Sequence, residues 1–205
     1  DTAWVHCLIS RQTDASGNFE ITGVVTGILG VWLTTRQKSW CWPVGLVSVV
    51  AFIVVFFRAK LYAAAALQLI YVGLICYGWY AWLHGGEGHG ALRVSRVPPR
   101  VMAALAAGGG GAWLALAAFL GRRTDEALPH LDAFTMSFSL VAQWMQARKY
   151  LENWLVWVVV DLIYIGMALR QGLTPTAGLY LVYVGLAIVG FRDWRRSLAA
   201  AGGRA

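Results

Sequence analysis

A chain of 205 residues that is 59% hydrophobic, 13% charged and has a mean hydropathy of +0.59 is too apolar for a soluble domain, and reads as an integral membrane protein. The formal charge of +7 does not point to nucleic acid, because the 17 Lys and Arg residues sit in short connections between apolar runs, where orientation signals belong. Three scattered cysteines (Cys7, Cys41, Cys76) and four histidines without ligand spacing (His6, His84, His89, His130) exclude a disulfide framework or metal site, so no cofactor is expected.

After a polar tail over residues 1–18, without the apolar core of a signal peptide, seven apolar runs follow. Each is long enough to cross a hydrocarbon layer of about 30 Å, which takes about 20 residues of helix. The first, near 19–35, carries Gly23, Gly27 and Gly30 as a small-residue stripe that admits a close neighbour. The second, near 40–57, opens Trp40-Cys41-Trp42-Pro43, with the proline in the first turn where its missing N–H is harmless. The third, near 61–83, holds the lone amide Gln68. A glycine-rich basic loop over 84–100 follows no strand and opens no dinucleotide-binding unit. The fourth run, near 101–121, has Gly108 to Gly111 in a row and almost no polar side chain, and reads as a connector. The fifth (131–147) carries Ser137, Ser139 and Gln143, and the seventh (177–194) carries Tyr180 and Tyr183.

The sixth run, near 153–169, has the most informative pattern. Trp154, Trp157, Asp161 and Tyr164 are three, four and three residues apart, so at about 3.6 residues per turn they share one helix face. A carboxylate at mid-membrane costs about 2.5–3.5 kcal/mol on insertion scales and normally faces the protein interior. An acid in an aromatic wall suits a flat, cationic small molecule; the competing structural reading makes Asp161 an interhelical staple and the tryptophans lipid-belt anchors. Asn153 reads equally as a ligand contact or an N-cap, and Gln68 and Gln143 as ligand contacts or interhelical hydrogen-bond partners.

Sliding the chain by 112 positions superimposes Trp32 on Trp144, Arg36 on Arg148, Trp42 on Trp154, Tyr71 on Tyr183, Gly78 on Gly190 and Trp82 on Trp194. Two three-helix units joined directly would be inverted; one extra span restores a common orientation, which predicts a 3+1+3 plan with parallel bundles and a mid-membrane site between them. Polar groups collect on the second unit: Asp161 falls opposite Val49, Tyr164 opposite Phe52, Gln143 opposite Val31 and Trp157 opposite Gly45, while Gln68 falls opposite Tyr180. The repeated Tyr71 and Tyr183 read as packing residues. Counting Lys and Arg on alternate sides gives eleven on the side of the C-terminus and six on the other, predicting a cytoplasmic C-terminus.

Trp42-Pro43-Val44-Gly45, Tyr77-Gly78-Trp79-Tyr80-Ala81-Trp82, the Asn-Trp-x-x-Trp-x-x-x-Asp string from Asn153 to Asp161, and Gly190-Phe191-Arg192-Asp193-Trp194 resemble the PnuC family of bacterial nicotinamide riboside transporters over residues 19–196. The second span departs from the family's usual pattern, with Ser48 and Phe52 where an amide and a tyrosine are expected. The resemblance implies a SWEET-like fold in the inner membrane, facilitated diffusion of the vitamin with retention by cytoplasmic phosphorylation, and homo-oligomers, trimers among them. Relatives of this fold carry thiamine or riboflavin.

The expectations are therefore an all-α polytopic membrane protein of seven transmembrane helices: a tail (1–18), a three-helix repeat (19–83), loop and connector (84–130), a second repeat (131–196) and a C-terminal tail (197–205). The expected substrate site is Gln68, Gln143, Asn153, Trp154, Trp157, Asp161, Tyr164 and Tyr180, taking nicotinamide riboside within the lipid bilayer, with no nucleic acid partner. An intramembrane enzyme needs a nucleophile beside a base on a span, and a channel favours repeated polar rings; neither pattern is present in the sequence.

Overall fold

The structure is a computed structural model that describes residues 3–60, 62–123 and 128–202. The outermost tail residues, Arg204 among them, and the polar turn at 124–127 lie outside the described residues. Seven long helices are seen: α1 (Ala3–Thr35), α2 (Cys41–Arg58), α3 (Tyr62–His84), α4 (Pro99–Arg123), α5 (Pro129–Ala147), α6 (Asn153–Arg170) and α7 (Thr174–Gly202). The helix of α1 starts well ahead of residue 19 and that of α7 runs past 196, because no proline interrupts residues 3–18 and the Leu-Ala-Ala-Ala run after Ser197 favours helix.

Five of these helices, α2, α3, α4, α6 and α7, are long and apolar enough to cross a membrane, and α1 adds a shorter apolar stretch over Ile21–Thr35. The departure of α5 has a local cause: His130, Asp132, Gln143 and Gln146 lower its hydropathy, helped by Thr135, Ser137 and Ser139, which are buried. Exposed leucine, valine and isoleucine on α2, α3, α6 and α7 suit lipid contact.

The packing forms a closed circuit. α1 lies against α2 and α7, α2 against α3, α3 against α5, α5 against α6, and α6 against α7; α4 stands outside this six-membered ring, packed on α5. Helix ends are sharp because the residues after α1, α2, α5 and α6 turn left-handed, at Gln37 (φ 55°), Lys60 (φ 59°), Lys149 (φ 52°) and Gly172 (φ 73°). After α1 the Lys38 N–H returns to the Leu33 carbonyl at 3.0 Å, and after α5 the Tyr150 N–H returns to the Met145 carbonyl at 3.0 Å. These bonds satisfy end carbonyls and offset the roughly 1–2 kcal/mol that a side-chain-bearing residue pays for that conformation.

Positions 112 apart keep matching local geometry beyond these turns. The Trp82 indole donates to the Gln146 carbonyl at 3.1 Å, and Trp194 to the Thr34 carbonyl at 3.0 Å. Trp42 lies edge-on to Trp82 at 5.3 Å and 89°, and Trp154 edge-on to Trp194 at 5.4 Å and 84°. Gly78 and Gly190 admit those rings: a Cβ on Gly78 would meet the Trp42 indole, and one on Gly190 the Trp154 indole, both too closely to be tolerated. Gly78→Ala is therefore expected to lose about 1–3 kcal/mol of stability through overpacking. Gly73→Ala, where an added Cβ meets nothing within 4 Å, is expected to lose none; thermal unfolding in detergent compares the two.

Candidate functional site

The ring of helices encloses a cavity of about 440 Å³. Its wall contains Trp154, Trp157, Asp161 and Tyr164 from α6, so the face read from the sequence does point inward, and the tryptophans on it are not lipid anchors. The exposed tryptophans are others, such as Trp32, Trp40 and Trp79. Gln143 enters from α5, Gln68 from α3 and Tyr180 from α7.

Asn153 is the one expected site residue that does not line the cavity. It is fully buried behind the wall, and its amide N–H donates to the Tyr150 carbonyl at 2.6 Å. Nor does its side chain cap α6: the N-cap position is Glu152, whose side chain instead accepts from the Val97 N–H at 3.0 Å. The side-chain amide oxygen of Asn153 has no hydrogen-bond partner among the described residues.

Several lining residues were not legible as such. Tyr71 and Tyr183 both reach the cavity, as do Trp42, Ser48, Ser139 and Gln146. Reading the repeated tyrosines as packing failed because a pseudo-symmetric ring puts repeated residues on both sides of the central cavity as readily as in the core. The signal was present in the register: Trp42 and Trp154, Tyr71 and Tyr183, Gln68 and Tyr180, Val49 and Asp161, Gly45 and Trp157 are lining pairs 112 apart. The first-half partners are small or apolar at the places where the second half is polar, so the cavity has one smooth side and one chemically demanding side.

On the demanding side, Asp161 is 5% exposed and has no hydrogen-bond or ion-pair partner among the described residues. It is neither a staple nor bound to an arginine. Tyr164 stacks on Tyr180 at 4.5 Å and 10°, with Tyr183 edge-on to Tyr180 at 6.2 Å, so flat aromatic surface lies beside the carboxylate. Trp157 is oriented by donating to the Gln146 amide oxygen at 3.2 Å, and Ser48 is tied to the Gly23 carbonyl at 2.7 Å. Such a site offers one negative charge, faces of π-electron density that attract a cation within about 6 Å, and amide groups able to donate and accept.

A helical ring spanning a membrane around a cavity with an uncommitted charge has the form of a carrier for a small molecule. Residues 17–196 match the family model described as nicotinamide mononucleotide transporter, and the chain belongs to that family; it is a multi-pass membrane transporter, not an enzyme. It is similar to the nicotinamide riboside transporter PnuC of Escherichia coli (strain K12), with 29% identity over 220 residues, covering 91% of this chain and 88% of that protein. The riboflavin/roseoflavin transporter RibM of Streptomyces davaonensis is 28% identical over 181 residues, covering 85% of this chain and 83% of RibM. The crystal structure of the vitamin B3 transporter PnuC superimposes with a TM-score of 0.72 at 23% identity, covering 94% of this chain and 87% of that one, a likeness of fold.

Proposed function

We propose that this protein carries nicotinamide riboside across the bacterial inner membrane by facilitated diffusion, with access to the cavity alternating between the two faces. The observation that carries the reading is the Asp161 carboxylate, buried, without a partner among the described residues and lining an aromatic cavity. An unpaired buried charge is costly, and a pyridinium cation relieves that cost while its ring takes the aromatic faces. In this reading Gln68 and Gln143 take the carboxamide and ribose hydroxyls, and Trp154, Trp157, Tyr164 and Tyr180 surround the ring, supported by their lining one cavity. The name of the Escherichia coli relative supports the same substrate.

Riboflavin is the second reading, favoured by the likeness to RibM. A neutral isoalloxazine leaves Asp161 without a countercharge, so the cation is preferred. Calorimetry on the purified protein with nicotinamide riboside, thiamine and riboflavin separates them: the expected result is binding of nicotinamide riboside at least about tenfold tighter, or about 1.4 kcal/mol. Tighter binding of riboflavin would replace the proposal with its alternative.

The proposed architecture is two like-oriented triplets, α1–α3 and α5–α7, joined by α4, supported by the matched geometry 112 residues apart. A cytoplasmic position for the C-terminus, the α1–α2 and α5–α6 turns and the α3–α4 loop is proposed, supported by the bias of Lys and Arg toward that side. A homo-oligomer, a trimer by family resemblance, is proposed for the membrane.

A further inference from the structure

At the end of the ring where the α1–α2 and α5–α6 turns meet the α3–α4 loop, the cavity has an aromatic floor. Trp42, Trp82, Trp154 and Trp194 form one chain of ring contacts, with Trp82 and Trp194 joining the halves at 5.9 Å; Trp42 and Trp154 also line the cavity above. The floor is packed shut, yet it contains groups that a permanent wall would not keep. The indole N–H groups of Trp42 and Trp154 and the side-chain amide oxygen of Asn153 are buried without hydrogen-bond partners among the described residues. Orphaned groups of this kind each cost about 1–3 kcal/mol.

A cation already sits on this floor. Lys149 is 6% exposed; its ammonium lies 4.3 Å from the centre of the Trp82 ring and has no carboxylate partner among the described residues. A hydrogen bond to the Leu92 carbonyl at 2.8 Å holds it, and Leu92 belongs to the loop that crosses this end and pairs with the α5–α6 turn through Ser95. Burial pushes the ammonium down to about 8, the mark of a charge held against its preference for water. The matching position in the first half is Gln37, so the floor has one such cation.

We propose that the four-tryptophan floor is a second, transient binding station for the cationic ring on its way through the protein, and that the Lys149 ammonium holds the station's cation place until the substrate displaces it. The inference rests on the cationic-substrate reading. As the floor opens, substrate hydroxyl and amide groups meet the unpaired Trp42 and Trp154 donors and the Asn153 acceptor. Return of Lys149 to Trp82 then expels the substrate, because two cations do not share one ring face.

The test uses purified full-length wild type, Lys149→Met and Lys149→Arg, with nicotinamide riboside and its neutral dihydropyridine form as probes. Removing the resident cation is expected to tighten binding of the charged probe about three- to tenfold, the range of one cation–aromatic contact, and to slow its release from proteoliposomes. Lys149→Arg stays close to wild type, and the neutral probe binds all three alike. An unchanged or weakened affinity in Lys149→Met, or equal shifts for both probes, overturns the inference. If Lys149→Met does not fold, Lys149→Gln, which can still donate to the Leu92 carbonyl, is read in the same way. A wild type that fails to bind the charged probe overturns the pocket reading and this inference with it; a wild type that binds while the variants show no charge-selective change overturns this inference alone.

Discussion

Replacing Asp161 with asparagine is expected to weaken binding of nicotinamide riboside by about 1.5–3 kcal/mol, roughly ten- to a hundredfold, while leaving the fold as stable as before or more so. The two effects oppose each other because Asp161 has no partner among the described residues. Neutralising it removes a buried charge that nothing offsets, and also removes the countercharge of the ligand. A structural staple would behave otherwise, losing stability on substitution. Asp193→Asn is the control, since that acid sits at the surface beside Arg36 (3.9 Å) and Arg196 (3.6 Å), exposed pairs worth about 0–1 kcal/mol. Calorimetric affinity and thermal unfolding of the two variants decide the matter; undiminished affinity in Asp161→Asn removes that residue from the site.

Trp194→Ala is expected to be the most destabilising single change, at about 3–5 kcal/mol. Its ring is 0% exposed, lies edge-on to Trp154 and tilted against Trp82, and its N–H satisfies the Thr34 carbonyl across the ring of helices. Truncation leaves a cavity and removes one of the two hydrogen bonds to the Thr34 carbonyl, which keeps the one from the Gln37 N–H at 2.9 Å. Trp82→Ala should cost a comparable amount, since it makes the matching bond to the Gln146 carbonyl. The double variant should cost less than the two losses added, because the rings touch and share one cavity. Trp40→Ala, 71% exposed, should stay within about 0.5 kcal/mol. Denaturant or thermal unfolding in detergent measures the series, and a Trp194→Ala protein as stable as Trp40→Ala would show that the floor contributes little to the fold.

The class of fold was legible because membrane insertion is a composition rule: runs of about 20 apolar residues separated by charged connections leave little choice but helices. The inward face of α6 was legible for a similar reason, since a carboxylate among tryptophans at helical spacing is tolerated only where protein covers it. The neighbours that complete the cavity were less so. Gln68, Gln143 and Tyr180 stood out as polar groups on apolar spans, but Trp42, Tyr71 and Tyr183 look like core residues until helices from both halves meet.

The order of residues by itself determined the number of long helices, the polar side of α6 and the register of 112 that relates the halves. It did so through local rules of period, length and transfer energy that each segment obeys alone. Ring closure, the packing of α4 on α5, the burial of Asn153 behind the wall and the seat of Lys149 on Trp82 were decided only in three dimensions. Each depends on contacts between segments tens of residues apart, and no helix carries in its own pattern the identity of the surface it will meet.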